Sequence, residues 1–279
     1  MNGTMMQTSP NGQYVMGRTS AEYERLRRQA EALEPSTAAL LDRIGLQPGM
    51  RCLDVGCGPG EVMRLIGQRV GATGRVVGID LDARLGTEAA GILRTTGASQ
   101  FDFVGGDIRE IDSIPGAPFD LVYARLVLIH SPNPQALLRA MYRWVKPGGY
   151  LVVQDYDFRT LDAYPRSEPI EAFRRVFQGV FERANLDTEI GHKLPWHFVE
   201  AGLGTPDGGD VSGILASMEQ SWEMVAAVYQ SLLPLALKFG ITTAAESEQF
   251  SHQIKEAAGQ RYHAVLWPLL LGAWKRKPM

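Results

Sequence analysis

The chain has 279 residues, is 45% hydrophobic, and carries 28 Lys and Arg against 31 Asp and Glu, a formal net charge of -3. That is enough apolar side chain to bury a large core, so disorder as the main state is excluded. The balanced charge leaves no basic footprint for nucleic acid, and the short cluster Lys275-Arg276-Lys277 reads as a solvated strand end.

Residues 1–13 are polar and lack periodicity, which reads as a loose tail, with order beginning near Tyr14. The first seventeen residues hold no Lys, no Arg and no apolar block, so no secretory signal peptide is expected. Thr19 with Glu22 three residues later forms a capping box, and Tyr23, Leu26, Ala30 and Leu33 recur at helical spacing until Pro35 ends the run. A second helix is expected over 36–44, stopping at Gly45.

Apolar runs then alternate with helices. Short apolar segments lie at 51–57, 75–81, 101–106, 119–126 and 150–154, and helical stretches at 61–70, 83–96 and 134–145. Continuous apolar strands separated by helices imply a parallel sheet covered on both faces. The turns at 71–74 and 146–149 return each helix to the sheet. Cys52 and Cys57, placed on one strand, have Cα atoms some ~16 Å apart, beyond the reach of a disulfide, so they read as small buried hydrophobes.

Beyond 154 the alternation fails. Helices at 168–184 and 189–201 read as an insertion, followed by a strand near 211–217, helices at 222–239 and 244–260, and a last apolar segment over 262–274. Pro268 inside that segment conflicts with a regular ladder and is expected at a bulge. The longest apolar stretch, 264–274, is far short of the roughly 20 residues needed to span a bilayer, so a cytoplasmic protein without a membrane partner is expected.

The segment "LDVGCGPGE" carries the chemistry. A dinucleotide fingerprint needs glycine at the first, third and sixth positions of the turn, whereas Gly56 and Gly58 are followed by Gly60, one residue early. A pyrophosphate would lie beside Asp54 and Glu61 with no Lys or Arg nearby until Arg64, which is electrostatically poor. A Walker loop fails as well, since no Gly-Lys-Ser or Gly-Lys-Thr follows. The arrangement suits a nucleoside with a cationic group, as in S-adenosylmethionine. Asp80, at the end of "RVVGID", stands where a carboxylate accepts ribose hydroxyls in doubly wound folds, and Asp107 in "FVGGDI" ends the third apolar run at the same sheet edge.

The ordered set "DVGCGPG", "GIDLD", "GGDI" and "VKPGGYLVVQD" resembles the class I S-adenosylmethionine-dependent methyltransferases. Within them it is similar to the small-molecule branch that includes the ubiquinone/menaquinone C-methyltransferases and bacterial natural-product methyltransferases. The resemblance covers about residues 40–157. It implies an α/β, doubly wound, Rossmann-like seven-stranded sheet with an antiparallel last strand, an N-terminal lid helix and helical cap insertions. Carried onto this chain, it places Gly56, Gly58 and Gly60 along the methionine and ribose, Asp80 on the ribose and Leu81 on adenine. It also places Asp107 at the adenine amino group beside Ile108, with Ala124 and Arg125 flanking the methionine part. "YVMGRTSAEYERLRRQA" looks like the family's lid helix, which makes Tyr14 a candidate cofactor contact and catalytic residue. "IGHKLPWHFVEAGL" resembles a cap motif in which the family more often has arginine at the position of His192. The implied division is 1–35 tail and lid, 36–157 cofactor core, 158–205 cap, and 206–279 completing the sheet.

Methyl transfer from a sulfonium needs alignment in a dry pocket more than it needs a base. His130 in "LVLIH" and Asp155 in "VVQDYDF" are the candidate bases at the sheet edge, with Asp157 beside them. The competing readings are that His130 caps the next helix and that the aspartates solvate the strand exit. His192 and His197 lack a third ligand, so no metal site is expected. Phe173, Phe177 and Phe181 recur at helical spacing and read either as core or, with Phe158, Tyr164 and Trp196, as the wall of an acceptor pocket. The expected function is methylation of a lipophilic or aromatic small molecule in secondary metabolism. A quinone-pathway C-methyltransferase and a fold that catalyses cyclisation or only binds cofactor are the alternatives. The oligomeric state is left open, a homo-oligomer being one option.

Overall fold

The structure, a computed structural model, describes residues 20–96, 100–260 and 263–279; Tyr14 and Thr19 lie outside the described residues. The first helix, α1 (Ser20–Ile44), runs unbroken through Pro35, where the sequence predicts two helices. A proline inside a helix forfeits one backbone hydrogen bond and costs about 3 kcal/mol. Here Leu33 on one side of it and Leu40 and Leu41 on the other are at most 2% exposed, so burial of both halves holds the helix continuous.

The alternating region folds as its pattern predicts. β1 (Arg51–Val55), α2 (Glu61–Val70), β2 (Arg75–Asp80), α3 (Ala83–Thr95), β3 (Phe101–Gly105) and β4 (Phe119–Arg125) follow in order. A 3-10 turn at Leu128–His130 then leads to α4 (Pro134–Tyr142) and β5 (Val145–Asp157). Asp82 and Asn133 start α3 and α4 by accepting from the backbone N–H groups of Leu85 and Ala136. β5 is longer than expected: it absorbs the turn at 146–149, and the β4–β5 register shifts between Phe119 and Leu121.

The remaining elements are β6 (Asp162–Tyr164), α5 (Glu168–Arg183), α6 (Ile190–Glu200), β7 (Gly208–Ser212), β8 (Leu215–Ser217), α7 (Met218–Lys238), α8 (Ala244–Ala258), β9 (Ala264–Leu266) and β10 (Leu269–Arg276). The seven-stranded sheet has the order β3-β2-β1-β4-β5-β10-β7. Its first five strands are parallel, and β10, the last in sequence, is antiparallel to β5 and β7. The fold is thus the doubly wound, Rossmann-like sheet with an antiparallel last strand.

Three expectations change in the C-terminal half. The strand expected near 211–217 is two strands in different sheets, because β8 joins β6 and β9 in a separate three-stranded sheet. Trp267 and Pro268 fall between β9 and β10, so the proline occupies the crossing between the two sheets and costs no ladder bond. Helix α6, expected in the cap with α5, packs on β5 and β10 and covers the sheet, while α5 packs with α7 and α8, and α7 with α1. Strand order reverses at β1, whose neighbours are β2 and β4, and the crevice outside the carboxyl ends of these strands is where open α/β sheets bind ligands.

Candidate active site

The chain leaves β1 into that crevice through Gly56, Gly58 and Gly60, whose φ angles of 68°, 47° and 82° are ones that L side chains rarely adopt. The amides of Gly56 and Cys57 donate to the Ile79 carbonyl at 2.7 and 3.1 Å, pinning the loop to the end of β2. A Cβ on Gly56 would stand 2.6 Å from Val127 Cγ2, so the loop also lies tight against the segment after β4.

Next along the edge, the Asp80 carboxylate accepts from the Gly58 amide at 2.9 Å and the Asp82 amide at 2.8 Å. The Tyr23 hydroxyl donates to Asp82 at 2.7 Å and ties α1 to the same loop. Asp54, on β1, is 2% exposed, and its Oδ2 has no hydrogen-bond partner among the described residues. Burial pushes its carboxyl up to about 8; Arg125 opposes this and Asp80 adds to it. Burial also pushes the Asp107 carboxyl up, but hydrogen bonds and charge from Arg109 outweigh it and hold the group below the usual carboxylate range.

These groups meet in a cavity of about 320 Å³. Asp54, Gly56, Gly58, Asp80, Asp107, Ile108 and Arg125 line one end of it, together with Leu81, which is 53% exposed. Two predicted contacts do not line it. Gly60 starts α2, where a Cβ would face Ala89 and Leu93, and Ala124 is fully buried within β4.

The two candidate bases have separate positions. His130 lines the cavity, its ring 5.6 Å from that of Phe181, and burial together with the positive charge of Arg25 depresses it to about 4. Asp155 does not line the cavity. It is fully buried and accepts from the backbone amides of Ile129 at 3.1 Å and Tyr156 at 3.0 Å, so it positions the turn that carries His130. Burial pushes its carboxyl up to about 7 against those hydrogen bonds. Asp157 pairs with Arg159 at 2.8 Å and lies 3.3 Å from His192, while His197 faces Gln135 at 3.0 Å, so the two histidines of α6 do not converge. Among the described residues no group of three or more His, Cys, Asp or Glu is placed to hold a metal ion.

The other end of the cavity is aromatic. Phe158 and Phe177 stack with centroids 3.8 Å apart, Phe177 and Phe181 at 4.4 Å, and Phe173 meets Phe158 edge-on at 5.7 Å. Tyr164 and Trp196, expected in this wall, are 81% and 55% exposed and do not line it. The lining also includes residues not singled out in the sequence: Met224, Val225 and Val228 of α7, Val265 of β9, and Trp267. Glu22, Arg25 and Gln29 of α1 were missed too, although their spacing puts them on one helix face beside the apolar stripe that was read.

The family profile described as "Methyltransferase domain" matches residues 46–201, more than half of the chain. The chain belongs to this family. Among curated relatives, an uncharacterized 37.1 kDa protein in transposon TN4556 of Streptomyces fradiae is 27% identical over 237 residues, which is 84% of this chain and 66% of that protein. Sterol 24-C-methyltransferase of Yarrowia lipolytica is 34% identical over 148 residues, 50% of this chain and 37% of that one. The chain therefore spans less than two thirds of the length of these relatives. A solved structure of Haemonchus contortus phosphoethanolamine N-methyltransferase 2, in complex with phosphomonomethylethanolamine and S-adenosylhomocysteine, shares the fold. Its TM-score is 0.52 at 18% identity, over 88% of this chain and 53% of that one.

Proposed function

We propose that the protein transfers the methyl group of S-adenosylmethionine to an apolar or aromatic small molecule, such as a lipophilic compound of secondary metabolism. The observation that carries this reading is that a single cavity is lined both by the glycine turn with its row of acids and by the stacked phenylalanines of α5.

The acidic end fits the cofactor on three counts. Its glycine turn lets the backbone approach a ligand closely. Asp80, fixed by two backbone amides, is held ready for ribose hydroxyls. Asp54 Oδ2 has no hydrogen-bond partner among the described residues, and the carboxyl, held protonated by burial, would ionise against a ligand ammonium while Arg125 takes the ligand's carboxylate. Asp107, Ile108 and Leu81 would take the adenine. Bound there, S-adenosylmethionine supplies a methyl group already activated on a sulfonium.

The chain's own residues have the remaining work of orienting the acceptor and excluding water. The α5 phenylalanines and the α7 side chains supply a dry wall, and His130, kept neutral at physiological pH, presents a hydrogen-bonding group to the acceptor. Arg25 pairs with Glu22 and Arg109 with Asp107, while Arg125, which donates to the neutral hydroxyl of Thr37, is the one this reading assigns to the cofactor's carboxylate. This favours an uncharged acceptor over a phosphorylated one. The test is incubation with methyl-labelled S-adenosylmethionine and a panel of phenols, indoles, quinols and isoprenoids, together with calorimetry of S-adenosylhomocysteine binding. Label transfer with submillimolar cofactor binding supports the reading. Binding without label transfer, with acceptor rearranged and unmethylated, would favour cyclisation, and absence of binding refutes the cofactor.

A further inference from the structure

The cavity wall includes one buried charged group that the function proposed above does not use. Glu22, Arg25 and Gln29 form a polar stripe along the cavity-facing side of α1. Glu22 and Arg25 are 2% and 5% exposed and joined by two hydrogen bonds of 2.6 and 2.9 Å, while Arg25 also donates to Gln29 at 3.0 Å. Ser231 of α7 donates to Glu22 at 2.7 Å, and Gln29 lies 3.5 Å from the Tyr156 hydroxyl. A buried ion pair seldom outperforms apolar residues of the same volume, so stability alone gives little reason for one on an otherwise greasy wall. Arg25 and His130 both line this cavity, as do the phenylalanines of α5, and the ring of His130 stands 5.6 Å from that of Phe181.

We propose that Arg25 and His130 form a polar pole of the acceptor site, which selects acceptors whose aromatic or apolar body carries an oxygen substituent and turns that oxygen toward α1. Glu22 and Gln29 are positioning residues that aim the guanidinium. The phenylalanine stack holds the ring system, and the pole sets which way round it sits, since the stack by itself offers no hydrogen bond. This assignment rests on the reading of the phenylalanine-lined end as the acceptor site.

The experiment uses the full chain saturated with S-adenosylhomocysteine, with 1-naphthol and naphthalene as probes in calorimetry. The wild-type protein is expected to bind 1-naphthol at least about tenfold more tightly than naphthalene. Removing one partner of a buried pair strands the other, so the test variant is the double substitution Glu22→Gln/Arg25→Met, which leaves no lone charge. It is expected to lose the preference and to keep its affinities for naphthalene and for S-adenosylhomocysteine. Phe177→Leu is the companion variant, expected to weaken both probes alike. Equal wild-type affinities for the two probes, or a preference that survives in the double variant, would overturn the polar pole while leaving the apolar acceptor site in place. If neither probe binds the wild type, the acceptor site and the pole fall together, and retained S-adenosylhomocysteine binding would show that the cofactor reading survives.

Discussion

Asp54→Asn tests how the cofactor end is built. The Asp54 carboxyl rises from 3.8 to about 8 on folding because it is buried next to Asp80, with Arg125 only partly offsetting the cost. Four pKa units correspond to roughly 5 kcal/mol, an upper bound because water entering the cavity screens the charge. Since the folded value lies above the unfolded one, the stability held by the protonated carboxyl is fully present below pH 3.8 and is lost as pH rises through about 8. A neutral amide of the same shape removes that loss. We therefore expect the ligand-free Asp54→Asn protein to be more stable than wild type by about 2–3 kcal/mol at pH 8, a rise of roughly 5–8 °C in Tm. Thermal unfolding between about pH 4 and pH 9 should show the two proteins closest together at the acid end and separating until about pH 8. The same variant should bind S-adenosylhomocysteine at least about tenfold more weakly, because the carboxylate that faces the ligand's cationic group is gone. Unfolding curves that stay a constant distance apart at every pH would show that Asp54 does not titrate in this range and would refute the reasoning.

Other substitutions probe the neighbouring parts. Asp80→Ala should weaken S-adenosylhomocysteine binding by more than about tenfold, or 1.4 kcal/mol, and an unchanged Kd would remove Asp80 from the ribose. Gly56→Ala combines a φ of 68° with a 2.6 Å contact to Val127, so it should cost about 1–3 kcal/mol in stability and impair cofactor binding, both readable by thermal shift with and without ligand. Asp155→Asn puts an amide where two backbone N–H groups need an acceptor, so kcat should fall while the S-adenosylhomocysteine Kd stays within about twofold. Equal losses in both would mean that Asp155 reaches the cofactor.

Much of the sheet could be read from local pattern. Residues 51–145 alternate between apolar runs and capped helices, and each signal is contained within a dozen residues, which is why α2 and the ends of β1, β2 and β4 fall within two residues of expectation. The acidic strand ends were legible for the same reason: a residue that ends a parallel strand projects at the carboxyl edge whatever the rest of the chain does. Gly60 and Ala124 do not line the cavity, because sequence names a turn or a strand end without saying which way an individual residue faces. Asp155 shows the same limit: it stands on the expected strand near the carboxyl edge, yet its carboxylate turns to the amides of Ile129 and Tyr156.

The sequence by itself determined the class of sheet, the glycine turn and the row of acids, because strand periodicity, backbone sterics and the cost of placing phosphate beside carboxylates are local matters. Tertiary structure alone decided that α1 runs on through Pro35, that α6 covers the sheet, and that Glu22, Arg25 and Trp267 meet the α5 phenylalanines in one cavity. Those outcomes depend on burial and on contacts between segments as far apart as residues 22 and 267, and no local pattern encodes the packing that brings them together.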